Sequence, residues 1–211
     1  MISTSTRYQL VTRDLARTKA LIEKDPASLP AYALLARIYV SQRKLDAARA
    51  EFDQIVKREP KNIAARTMAA MAVDAQRNIP EAKRRYQEIL EAAPTAAVAA
   101  NNLAWIYADE GTNLDVALRL AESALQQLPD TPEVLDTLGW IYYRQELPSL
   151  AVQRFQASIQ KDPNNAMYHY HLAAAHEKLG EAPQARAAVQ RALALQPQYP
   201  DAQRLLASLR Q

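Results

Sequence analysis

Six prolines, Pro26, Pro60, Pro94, Pro129, Pro163 and Pro197, punctuate this chain at intervals of 34, 34, 35, 34 and 34 residues. Self-similarity at such a period is the signature of a solenoid, in which each short unit buries its apolar face only against its neighbours. The residues repeat as well: NNLAWIYA, beginning at Asn101, is answered one period later by LDTLGWIYY, which ends at Tyr143. Each period carries two stretches of helical spacing, so it reads as a pair of antiparallel helices. The 211 residues therefore count as one elongated repeat domain, 1–211, rather than as one or two globules.

The period divides the chain into five units, 29–62, 63–96, 97–131, 132–165 and 166–199, with a lone helix before them at 6–24 and a closing helix at 201–210. Numbered within a unit, positions four, seven, eight and eleven recur as Tyr32, Leu35, Ala36, Tyr39 in the first unit and Leu135, Leu138, Gly139, Tyr142 in the fourth. At about 100° per residue these fall on one stripe of the first helix, which is expected to pack inward. The second helix contributes a small residue at position twenty (Ala48, Ala82, Ala117, Ala151, Ala185) and a filler at position twenty-four (Phe52, Tyr86, Ala121, Phe155, Val189). Small groups at positions eight and twenty let the two helices approach closely. Pro80, Pro148 and Pro183 stand at the entry of second helices, where a missing N–H costs nothing. In the lone first helix Leu10, Leu15, Ala16, Leu21 and Ile22 are the apolar positions, and it reads as the second helix of a unit whose first helix is missing, either a native cap or a cut from a longer array. The closing helix sets Ala202, Leu205, Leu206 and Leu209 opposite Gln203, Arg204 and Arg210, as the end of a solenoid requires.

Several function classes are disfavoured. No apolar run approaches a membrane span, and the start MISTSTRYQL lacks the basic-then-apolar layout of a signal peptide, so no direct membrane insertion is expected. Without cysteine there is no disulfide, thiol chemistry or thiolate metal site. The net charge of +3 divides into about +6 over residues 1–96 (17 Lys/Arg, 11 Asp/Glu) and about −3 over 97–211 (9 and 12), too weak a field to predict nucleic-acid binding. The basic run Lys83-Arg84-Arg85 reads as a solvated helix face. Only three glycines are present, Gly111, Gly139 and Gly180, and none lies in a phosphate-cradling motif. His169 and His176 fall on the packing stripe, as core residues bonded to neighbours, while His171 points elsewhere, so no shared metal site is expected. Asp109, Glu133 and Asp136 lie along an open groove rather than in an enclosed apolar site, which argues against acid–base catalysis. No cofactor and no enzyme activity are expected.

Function must then lie on a surface. Positions two, five, nine, twelve and thirteen of the first helix form a stripe centred about 140° from the packing stripe and are expected to face away from the core. The candidate binding residues on it are Arg37, Met71, Asp74, Asn101, Trp105, Asp109, Asp136, Trp140, Tyr143, Arg144, Tyr170 and Lys178. Aromatic rings on a wet surface rimmed by polar groups mark a binding surface. Trp105 and Trp140 have a second reading, in which they lean sideways onto the adjacent first helix. Asn101, Asp136 and Arg144 could bond the backbone of a bound segment while the aromatics take its side chains. Self-association through exposed ends of the array is a further expectation.

The residues LGWIYY, with Ala151, Phe155 and Pro163 in the same unit, resemble the tetratricopeptide repeat almost position for position over nearly the whole chain. The resemblance implies an all-α fold, a right-handed α–α superhelix of five hairpins whose first helices line a concave groove. It also implies a non-catalytic scaffold with a protein or peptide partner. Members that bind chaperone tails hold a terminal carboxylate with a Lys, Asn and Arg clamp; the corresponding pairs here, Ala33/Arg37, Thr67/Met71, Asn101/Trp105 and Asp136/Trp140, do not supply one. More narrowly, NNLAWIYA, VALRLAES, VLDTLGWIYY and YHYHLAAAHEKLG resemble arrays of bacterial exosortase- and exopolysaccharide-associated tetratricopeptide proteins. That likeness implies a periplasmic or envelope-associated setting. A cytoplasmic adaptor and a targeting module of a larger enzyme are the alternatives.

Overall fold

The computed structural model describes residues 4–26, 28–42 and 44–209, leaving aside the side chains of residues 4–12, 29, 30, 33, 37, 40 and 41. Among the described residues there are twelve α-helices and no strand. They are α1 (Thr4–Lys24), α2 (Leu29–Ser41), α3 (Leu45–Arg58), α4 (Ile63–Ala75), α5 (Ile79–Ala92), α6 (Ala97–Glu110), α7 (Leu114–Gln127), α8 (Pro132–Arg144), α9 (Pro148–Lys161), α10 (Ala166–Lys178), α11 (Ala182–Leu195) and α12 (Pro200–Ser208). Every first helix begins at the residue where the proline period puts a new unit.

The helices fall into two compact units, residues 1–99 and 100–211. In the first, α2 packs on α1, α3 and α4, and α4 packs on α3 and α5. In the second, α8 packs on α7, α9 and α10, and α10 on α9, α11 and α12. The core follows the unit numbering: Ala48, Ala82, Ala117, Ala151 and Ala185 are all buried, as are Phe52, Tyr86, Ala121, Phe155 and Val189. Around Ala121 the larger Leu118, Leu120 and Leu125 are half-buried. A Cβ built on Gly139 would lie 2.5 Å from Cε1 of Phe155, so position eight of this unit has room for hydrogen alone.

Helix ends are satisfied by a recurring device. The position-four side chain reaches back to the carbonyl of the preceding period-marking proline: the Tyr32 hydroxyl donates to Pro26 O at 2.9 Å, His169 Nε2 to Pro163 O at 2.9 Å, and Gln203 Nε2 to Pro197 O at 2.8 Å. Asn62 and Asn165 cap α4 and α10, each accepting a backbone N–H at 3.0 Å. In α1 the outcome is mixed. Ile22 is buried and Leu15 half-buried, but Ala16 and Leu21 are exposed, Leu21 at 52%. The buried place between them goes to Thr18, whose hydroxyl donates to Asp14 O at 2.7 Å and so can turn inward at little cost. Leu10 and Arg210 lie outside the described side chains. The remaining face of α12 is as expected, with Ala202 and Leu205 buried and Gln203 and Arg204 exposed.

Candidate binding surface

In the unit formed by residues 100–211, the first helices α6, α8 and α10 bring one ring after another to a common wall. Trp105 of α6 and Trp140 of α8 have centroids 6.2 Å apart, and Trp140 stacks on the His171 imidazole of α10 at 4.5 Å. Tyr143, one helical turn after Trp140, stacks on it at 4.8 Å with the planes 15° apart. Tyr170 stands 5.6 Å from His171 and 5.1 Å from Tyr199. Both tryptophans, Tyr143 and Tyr170 are half-buried. The two readings of the tryptophans are therefore not exclusive: each leans on the neighbouring first helix and still shows part of its ring to solvent.

In α6 and α8, position five does not face away from the core. Asn101 and Asp136 are only 8% and 1% exposed, which corrects the expectation of an outward-pointing polar stripe. The reason is packing. Neighbouring first helices α8 and α10 lie side by side, so position five of one meets position six of the next. There the His171 Nδ1–H donates to both carboxylate oxygens of Asp136, at 2.9 and 3.0 Å, with both side chains almost fully enclosed. The open-groove description of Asp136 fails for the same reason. The sequence sets His171 apart from the packing stripe but does not mark it as a binding residue. Its signal is a separation of 35 residues from Asp136, one period plus one, joining two groups of complementary hydrogen-bonding capacity.

The basic residues at position thirteen are engaged within the wall as well. Arg144 Nη1 donates to Asp109 O at 2.9 Å, covering the last turn of α6, and Lys178 Nζ donates to Tyr143 O at 3.2 Å and to Glu146 at 2.7 Å, covering the last turn of α8. Cations at the carbonyl end of a helix complement its dipole. The Lys178 ammonium also lies 4.3 Å from the centroid of the Tyr143 ring. Arg144 and Lys178 are thus fixed on the protein itself, whereas the expectation had Arg144 bonding a partner's backbone. The side chain of Asp109 is exposed.

The remaining candidates lie in the unit of residues 1–99. Met71 is 37% exposed, and Asp74 is half-buried. Burial raises the Asp74 carboxyl pKa, opposed by the Arg77 charge and by a hydrogen bond from Tyr86. The Arg37 side chain lies outside the described residues. His169 is bonded to Pro163 and His176 to Glu181 at 2.6 Å, so the three histidines serve three different partners.

Two buried side-chain atoms, among the described residues, have no hydrogen-bond partner: the acceptor Asn101 Oδ1 and the donor Trp140 Nε1. Both belong to this wall. Asn101 also lines a cleft of about 200 Å³ with Asn102, Trp105, Glu133, Asp136, Thr137, Met167 and Tyr168.

Two family models, each described as a tetratricopeptide repeat, match residues 67–132 with 137–209 and residues 15–73. The chain belongs to the tetratricopeptide repeat family. Tetratricopeptide proteins generally mediate protein–protein interaction, and their fold is typically a non-catalytic scaffold. No curated protein sequence matches this tetratricopeptide chain at a significant level. Solved structures share its fold: the APC/C hetero-tetramer Cut9–Hcn1 (TM-score 0.78, 16% identity) covers 94% of the chain, which spans 39% of that longer one. TTC0263, a thermophilic tetratricopeptide protein of Thermus thermophilus, has a TM-score of 0.68 at 17% identity, with 86% of this chain and 98% of that one covered. YrrB, a tetratricopeptide protein with an unusual peptide-binding site, has a TM-score of 0.58 at 18% identity, with 89% and 96% covered. At these identities the likeness is one of fold. Among the described residues, no helix is long and apolar enough to cross a membrane.

Proposed function

We propose that this tetratricopeptide protein is a non-catalytic scaffold that holds a peptide or protein segment on the aromatic wall of residues 100–211. The observation that carries the reading is the pair of unsatisfied buried atoms beside half-exposed rings. An unpaired buried donor or acceptor costs about 1–3 kcal/mol, a cost that a bound partner removes. Asn101 Oδ1 and Trp140 Nε1 are a buried acceptor and a buried donor, which the N–H and C=O of a bound peptide satisfy once these side chains turn toward it. Trp105, Trp140, Tyr143 and Tyr170 supply the apolar contact area on which binding energy concentrates. Support by analogy comes from YrrB, whose own peptide-binding site is built on a similar fold. The narrower sequence resemblance supports a setting in a bacterial envelope or exopolysaccharide-related assembly.

The test compares wild type with Trp105→Ala/Trp140→Ala in capture from the source cell, followed by titration of each captured partner. A groove ligand is lost from the double variant, and Trp140→Ala alone weakens it at least about tenfold, as expected for an aromatic anchor. Far-UV circular dichroism must show unchanged helicity. Equal affinity in folded wild type and variant would return both tryptophans to a purely structural role.

A further inference from the structure

The cleft beside Trp105 has a one-sided chemistry. Its polar lining comprises Asn101, Asn102, Glu133, Asp136, Thr137 and Tyr168, with no lysine or arginine among them. Glu133 is exposed at the rim, Asp136 is buried with its carboxylate turned to His171, and the Thr137 hydroxyl is already spent, donating to Glu133 O at 2.9 Å. Asn101, more than nine-tenths buried, belongs to this lining, and its Oδ1, itself buried, is an acceptor without a donor. The negative field is felt by a neighbour: after burial, the charges of Glu133 and Asp136 are the next causes that raise the Tyr168 phenol pKa. The half-exposed Trp105 ring adds a π-face.

We infer that this cleft receives an arginine side chain of the bound segment, its guanidinium seated against Trp105 and donating to the Glu133 carboxylate and, once the Asn101 side chain turns outward, to Asn101 Oδ1. The inference rests on the groove-binding reading above and names the partner's chemistry. A guanidinium has five N–H donors in a plane, no acceptor and a flat face that stacks on aromatic rings. An acceptor-rich cleft with an aromatic side fits it, and a carboxylate there would meet two like charges.

The 211 residues hold two tryptophans, both in the wall, so tryptophan fluorescence excited selectively at the red edge reports on this wall. The probes are three capped twelve-residue peptides, identical except for one central arginine, citrulline or glutamate, titrated to millimolar concentration at low salt. The arginine peptide is expected to bind at least about tenfold tighter than the citrulline peptide, and the glutamate peptide weakest. Glu133→Gln, at an exposed site that does not endanger folding, should narrow the arginine preference at least about threefold. Asn101→Asp should widen it, with far-UV circular dichroism confirming the fold. Equal binding of arginine and citrulline peptides, or a preference indifferent to Glu133→Gln, overturns the arginine site while leaving groove binding standing. Absence of any response to all three peptides overturns both.

Discussion

Gly139 shows how one hydrogen atom can set a register. The ring of Phe155, fully buried, stands where a β-carbon would be, at 2.5 and 2.6 Å from two ring atoms. Alanine has about 1 kcal/mol more helix propensity than glycine, but overpacking a rigid ring typically costs about 1–3 kcal/mol. The steric term wins because the ring that would have to give way is itself fully buried. With contacts this short the cost falls toward the upper end of that range, so Gly139→Ala should lower the stability of the protein by up to about 2 kcal/mol in urea unfolding followed by circular dichroism. A variant as stable as the parent would show that the α8–α9 contact is looser than this. The small residue at position eight was legible in the sequence. The reason for its extreme smallness in this unit was not, because it depends on the rotamer of a side chain sixteen residues away.

At the scale of the element, the entry of α5 has the densest charge network. Glu81, in its first turn, accepts from Arg84 at 2.7 and 2.9 Å and from Arg85 at 2.8 Å, while Arg85 reaches Asp53 of α3 at 2.5 Å. Arg84 and Arg85, of the basic run read from sequence as a solvated face, are committed to neighbouring carboxylates. The hydrogen bond from Arg84, then that from Arg85, hold the Glu81 carboxyl at about 2, below its ordinary 4.5. A depressed acid contributes stability above its unfolded pKa and loses it as pH falls through the folded one. Screening at this partly exposed site limits the gain to less than about 1 kcal/mol. Glu81→Gln should accordingly cost a few tenths of a kcal/mol at pH 7, with the difference from wild type fading between about pH 4.5 and about pH 2. Urea melts at pH 7, 4 and 2 check it; a difference constant with pH would remove the ion pairs from the account.

For the whole molecule, the candidate wall belongs to one of two compact units. The bonds that organise it, Arg144 to Asp109, Asp136 to His171 and Lys178 to Tyr143, all lie within residues 100–211. In repeat proteins stability is a sum over units and nearest-neighbour interfaces, so a part of the array with complete internal contacts can fold alone. A fragment spanning residues 97–211 is expected to be helical, to melt cooperatively and to keep the near-ultraviolet circular dichroism of its coupled tryptophans. A fragment without that near-ultraviolet signal would place the ordering of the wall in residues 1–96.

The proline period, the small residues at positions eight and twenty and the entry prolines determined the helices and their hairpin pairing, because these are local or strictly periodic constraints. They did so almost to the residue, as the starts of α2, α4, α6, α8 and α10 at unit boundaries show. The direction of the side chains between first helices was decided by tertiary structure. A helical wheel has one core direction, but α8 packs on α7, α9 and α10, so the supposed outer position of Asp136 is enclosed by a neighbour one period away. Likewise, the pairing of Asp136 with His171, the fastening of Arg144 and Lys178 to helix ends and the unpaired atoms of Asn101 and Trp140 arise from contacts between units. Such contacts depend on how far one helix is turned against the next, and periodicity along the chain does not specify that angle.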